Sequence, residues 1–138
     1  MKRRIVKDLA FLSQVCDKVE VKDRTQISTK LMMAMRPRVG WALAIAANQI
    51  GIQKRAFIID EGKCFRYYIN PELIETIGDP VEHTEGCLSI PGEQHTPMRY
   101  PEIRVTDEIN GEQTLTDLMA AVWQHEVDHL NGILINGG

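Results

Sequence analysis

Trp123-Gln124-His125-Glu126-Val127-Asp128-His129-Leu130-Asn131-Gly132 is the stretch that decides how the rest of the chain is read. It contains His-Glu-x-x-His. Two histidines four apart lie on one side of an α-helix, one turn above the other, so both imidazoles can reach one metal ion. The glutamate stands beside the first of them, where it can handle the proton of a metal-held water. Leu118, Met119, Val122, Trp123, Val127 and Leu130 make this helix apolar on most sides, which predicts a buried central element. Thr114 with Asp117 approximates a capping box at its start, and Asn131-Gly132 supplies a C-terminal stop. Ionisable groups buried here without partners would be costly. A bound cation removes that cost, whereas a chance His-Glu-x-x-His in ordinary packing does not. Asp128 points about 100° away from its neighbour, so it supports a ligand or faces outward rather than binding the metal.

Two histidines need a third protein ligand, with a fourth position left for water. Cys16, Cys64, Cys87, His83, His95 and any carboxylate are candidates. Cys87 stands out because it sits beside Gly86, between a loop and an extended segment that can be laid along the helix. The chain has three cysteines, widely spaced and without Cys-x-x-Cys. A disulfide framework or a four-cysteine zinc ribbon is therefore not expected, and reduced thiols in a cytoplasmic protein are.

Outward from the helix, 138 residues predict one domain, 1–138, with a sizeable core. Hydrophobic residues make up 43% and charged residues 25%, as in ordinary globular proteins. A net charge of -3 gives no reason to expect nucleic acid or an anionic membrane as partner. No stretch approaches the ~20 apolar residues of a membrane span. Lys2-Arg3-Arg4 is the only basic run, and Lys7 and Asp8 interrupt the apolar segment a signal peptide would need.

In chain order, Ile5 to Val15 predicts a weak helix or extended lead-in, and Val19 with Val21 a short edge strand. A helix starts at Asp23, carries Ile27, Leu31, Met32 and Met35 inward, and stops before Pro37. Gly40 to Gly51 is rich in small residues and ends on Asn48-Gln49. It is either a tightly packed core segment or a site wall with Gln49 offering an amide. Ala56–Asp60 and Cys64–Ile69 predict a hairpin, and Leu73–Ile77 a further strand. Cys87 to Gly92 predicts an extended piece ended by Pro91-Gly92. A strand from Ile103 turns at Asn110-Gly111 and returns over Glu112–Leu115. Residues 133–138 predict one last strand. The fold class is α+β, with short antiparallel β-sheets packed around the buried signature helix.

With these stretches together, the chain resembles the peptide deformylases. Glu85-Gly86-Cys87-Leu88-Ser89 and Gln124-His125-Glu126-Val127-Asp128-His129 match two family motifs without a break. Ile69-Asn70-Pro71-Glu72, Ile90-Pro91-Gly92 and Leu130-Asn131-Gly132 match the flanks. The third motif, Gly-x-Gly-x-Ala-Ala-x-Gln, departs: Ala42 and Ala44 stand where the family has glycine, before Ala46-Ala47-Asn48-Gln49. If those positions need positive φ, the local fold must differ; if they only allow close approach, the groove is narrower. The chain also lacks the C-terminal helix of many bacterial members and looks like the short form carried by some bacteriophages.

The resemblance implies the peptide-deformylase fold and removal of formyl from N-formylmethionyl nascent chains, a step of N-terminal processing near the ribosome in the bacterial cytoplasm. It implies one divalent metal on Cys87, His125 and His129, with Fe(II) in the cell and Zn(II) or Ni(II) in purified protein. Glu126 would move the proton, and Gln49 with the Leu88 N–H would meet the oxyanion. Leu43, Ala44, Glu85, Gly86, Leu118, Ala121 and Val122 would contact substrate, with Arg99 as support. Two other readings share these residues: a small zincin-type metallopeptidase, and a deformylase-like protein that binds formyl-Met chains with little or no turnover.

Overall fold

Alternation along one strand builds the centre of the molecule. A computed structural model describes residues 4–136. Its elements begin with α1 (Leu9–Leu12) and α2 (Arg24–Met35), followed by β1 (Ala44–Ala46), β2 (Ala56–Asp60) and β3 (Phe65–Ile69). Next come β4 (Glu72–Ile77), β5 (Val81–Glu82), β6 (Glu85–Cys87), β7 (Ile90–His95) and β8 (Met98–Arg99). The chain closes with β9 (Glu102–Thr106), β10 (Gln113–Thr116) and α3 (Asp117–Leu130). In β2, successive side chains point to opposite faces. Phe57 and Ile59 join Tyr68, Trp123, Val122 and Leu130 on the α3 side. Ala56 and Ile58 join Ile27, Leu31, Ala34 and Met35 on the α2 side. The antiparallel sheet β1-β2-β3 is thus covered by a helix on each face. Phe57 stacks on Tyr68 at 4.8 Å and meets the Trp123 ring edge-on at 6.4 Å, which fixes how α3 lies across the sheet.

The second sheet runs β10-β9-β4, and two ribbons, β5-β8 and β6-β7, complete the α+β architecture. β6-β7 carries a register shift between Gly86 and Cys87: Gly86 pairs with Gln94, but Cys87 pairs with Ile90. Pro91, Gly92 and Glu93 therefore bulge out of the ladder. This overturns the expected stop at Pro91-Gly92. The strand continues because a bulge tolerates a residue with no N–H to donate.

Three further expectations are corrected. The Val19–Val21 strand does not form. Instead Asn70 donates to the Val19 carbonyl at 2.9 Å and accepts from its N–H at 2.8 Å, satisfying that backbone with a side chain, and residues 21–23 make a 3-10 turn into α2. Thr114 is not a helix cap, because β10 stays paired to β9 as far as Thr116, which becomes the N-cap. The last strand is absent over residues 133–136: Ile133 N–H bonds the Asp128 carbonyl, and Leu134 is buried against Leu12 and Ile90. Gly137, Gly138, Lys2 and Arg3 lie outside the described residues. The Asn131-Gly132 stop holds, with Gly132 at φ +76. Among the described residues, no helix is long and apolar enough to cross a membrane.

Candidate metal centre and cleft

α3 delivers His125 and His129 to one side, and their rings lie 5.0 Å apart. The β6-β7 ribbon brings up Cys87, whose Sγ is 3.3 Å from His129 Nε2. The Cys87, His125 and His129 ligand atoms all lie within 4.8 Å of one another. Of the third-ligand candidates, only Cys87 reaches the two histidines among the described residues. His125 Nδ1 is taken by Glu85 Oε1 at 2.8 Å, which leaves Nε2 to face Cys87 and His129. One thiol and two imidazoles are a donor set for a borderline-soft divalent ion. Glu126 is 3% exposed, and its Oε1 has no hydrogen-bond partner among the described residues. A buried carboxylate with one oxygen unpartnered and the other 3.8 Å from His125 Nε2, beside three converging ligand atoms, fits a metal site.

Glu85 is the hub behind that site. Arg99, itself buried, donates to both Glu85 oxygens at 2.8 Å and to Asp128 at 2.6 Å. His83 Nδ1 lies 3.1 Å from Glu85 Oε2. Burial alone would raise the Glu85 carboxyl, but the hydrogen bonds from Arg99 and His125 hold it down at about 2. Burial pushes Glu126 up to about 7 against the pull of His125. The two histidines part as well. Burial lowers both, but hydrogen bonds to Cys87 and Glu85 outweigh it at His125, raised to about 10. His129, buried near the charges of His125 and Arg99, falls to about 3.

Gln49 reaches the same point from a 3-10 turn (Ala47–Ile50) that follows β1. Its Oε1 accepts from Ala46 N–H at 2.9 Å, which turns Nε2 toward Ser89 Oγ at 3.1 Å and Cys87 Sγ at 3.5 Å. Asn48 anchors the turn to α3 by donating to the His129 carbonyl at 2.8 Å. The Gly40–Gly51 stretch is therefore both a core segment and a wall of the site.

A cleft of about 740 Å³ opens over these groups. Leu43, Ala44, Gln49, Glu85, Gly86, Cys87, Leu88, Leu118, Val122, His125 and Glu126 all line it. Ala121 does not; it is buried at 3% exposure. His129 lies beneath the cleft floor at 1%. Glu85 lines the cleft, yet its oxygens are engaged by Arg99, His125 and His83, so it positions a ligand rather than offering a free carboxylate. Trp41, Thr84, Glu93 and Gln94 also line the cleft and were not expected from sequence, and His83, expected only as a candidate third ligand, lines it too and reaches Glu85 instead. For His83 there was a signal: two residues before Glu85 in extended chain, it shares that residue's face.

β1 is an edge strand, and the Asp60 N–H donates to the Leu43 carbonyl at 2.8 Å. Antiparallel pairing alternates, so the N–H and C=O of Ala44 point away from β2, to the open edge. Neither Ala42 nor Ala44 has positive φ; among the described non-glycine residues only Asn70 and Asp117 do. Alanine is accommodated here without backbone strain, and each methyl takes space from the cleft they both line.

The polypeptide deformylase family model matches residues 3–136. A peptide deformylase of Carboxydothermus hydrogenoformans is 43% identical over 97 residues, covering 67% of this chain and 62% of that relative's length. One from Clostridium botulinum is 37% identical over 129 residues, covering 91% of this chain and 87% of the relative. The Met-Ala-Ser-bound crystal structure of a class I type b peptide deformylase from Acinetobacter baumannii superposes with a TM-score of 0.86 at 27% identity, over 99% of this chain and 98% of that one. The match to the family model runs from one end of the described chain to the other, through every wall of the cleft, and the chain belongs to the peptide deformylase family.

Proposed function

We propose that this protein removes the N-formyl group from N-formylmethionyl polypeptides by metal-dependent hydrolysis, releasing formate. The observation that carries this reading is the convergence of Cys87, His125 and His129 beside the buried carboxylate of Glu126. Those three residues would hold one divalent ion, Fe(II) in the cell, with Zn(II) or Ni(II) as replacements in purified protein. When bound, the ion supplies Lewis acidity that polarises a carbonyl and acidifies water.

The chain's own residues do the rest. A peptide would add as a strand to the open edge of β1, pairing with the N–H and C=O of Ala44, with Gly86 on the opposite wall. Leu43, Leu118 and Val122 would surround the methionine side chain. Gln49 Nε2 and the Leu88 N–H would donate to the formyl oxygen as negative charge develops there. Glu126, poised near neutrality by burial, would take a proton from the attacking water and give it to the departing amine. The C–N bond breaks, leaving formate and a free amino terminus. The substrates are new chains near the ribosome in the bacterial cytoplasm.

The test is an anaerobic assay of Fe(II)-loaded protein on formyl-Met-Ala-Ser. Formate should appear in step with free amino termini, and unformylated Met-Ala-Ser should stay intact. Peptide-bond cleavage without formate would point to a metallopeptidase. Metal-loaded protein that binds the peptide without turnover would be a binder. Either result overturns the proposal.

A further inference from the structure

A second cavity adjoins the cleft and shares Trp41, Cys87 and Leu88 with it. The two differ sharply in charge. Among the described residues, the cleft is lined by the carboxylates of Glu85, Glu93 and Glu126 and by no lysine or arginine. The second cavity is lined by Arg4, Lys7 and Arg38 and by no acid, with Ile5 and Pro91 as its apolar walls.

One of these cations is buried, and the segment that carries the other two is anchored through its backbone. Val6 N–H donates to the Gln49 carbonyl at 2.7 Å, pinning the 4–7 segment beside the site. Arg38 is 4% exposed, and its Nη1 donates to the Ala34 carbonyl at 2.7 Å in the last turn of α2. Burial lowers the Arg38 pKa from its ordinary value.

We propose that the Arg4–Lys7–Arg38 cavity binds a small carboxylate, and that formate released beside Cys87 leaves through it. The choice of formate rests on the proposed hydrolysis. That reaction makes an anion next to Cys87, in a cleft lined by no lysine or arginine, and Cys87 also lines the adjoining cavity whose three cations attract it. A leaving path of opposite charge would also keep the product from lingering near Glu126.

Binding can be read without turnover. Sodium formate is titrated into zinc-loaded protein at constant ionic strength, and amide and indole N–H shifts are followed by NMR. Saturable shifts are expected at Lys7, Arg38 and the Trp41 indole. Arg4→Glu with Lys7→Glu should weaken them by about tenfold or more, since both attractive charges become repulsive. Arg4→Ala with Lys7→Ala, milder changes at exposed positions, should weaken them in the same direction. Shifts confined to the surroundings of Cys87, His125 and His129 that survive both double variants would overturn the proposal, as formate would then sit at the metal alone. So would shifts at Lys7 and Trp41 produced by inorganic phosphate and not by formate, or no saturable shift at all. None of these outcomes touches the deformylase reading, which stands or falls on formate release.

Discussion

Glu126 and Glu85 are both buried carboxylates next to His125, and their surroundings push them in opposite directions. Burial raises Glu126 to about 7 against the pull of His125, whereas Glu85 is held at about 2 by Arg99 and His125. Such a divergence separates a proton carrier from a fixed charge. Glu126→Gln is expected to lower kcat by about 10²–10⁴-fold with metal content unchanged, measured by formate release and metal analysis on the same sample. Glu85→Gln should instead weaken metal affinity by about 10–100-fold, because His125 loses the acceptor that orients its ring; a chelator competition titration reads this directly. At this scale the sequence was informative about ligands and less so about support. His125, His129 and Glu126 could be singled out by their spacing on one helix, whereas Cys87 was one of several candidates until the resemblance pointed to it, and the structure brings Cys87, His125 and His129 together. Glu85 was expected to contact substrate, and its bond to His125 across 40 residues of chain has no local signature.

The elements that carry these residues depend on how they end. α3 stops at Asn131, and the chain turns through Gly132 at φ +76, where an added Cβ would lie 2.4 Å from the Ser13 carbonyl oxygen. Gly132→Ala therefore combines backbone strain with a clash against main chain, which cannot swing away. It should destabilise the fold by at least about 1–3 kcal/mol, seen as a lower urea midpoint with an unchanged slope. The stop was readable from Asn131-Gly132, and the helix body from its apolar faces. Its start was not, since Thr114 and Thr116 look alike in sequence and only the β9 partner decides that pairing continues to Thr116. The β6-β7 bulge escaped for a related reason: Pro91-Gly92 has the composition of a turn, and three looped-out residues are a property of the pair, not of either strand.

Across the whole molecule, an ion held by Cys87, His125 and His129 would join α3 directly to the β6-β7 ribbon, which also meets α3 through the Glu85–His125 hydrogen bond and packs through Ile90 against Leu12 and Leu134. A bound ion should act as a clamp between them. Stripping it with a chelator is expected to lower Tm, and restoring Zn(II) to raise it with concentration; at 1,000 times Kd the gain is about 4 kcal/mol. Calorimetry with and without metal, beside a Cys87→Ser control that loses most of the effect, checks this. The α+β class and the central place of α3 were legible because hydrophobic period encodes both. The pairing of the small ribbons was not, being set by contacts distant in sequence. The separation of the ligands along the chain also dictates an order of assembly. His125 and His129 are brought together as soon as one helical turn forms, but Cys87 arrives only when its ribbon docks. Until then the chain carries a two-point chelate and a loose thiol, a state that holds metal weakly and oxidises readily. Metal supply and a reducing environment thus matter most during folding, before there is any activity to protect.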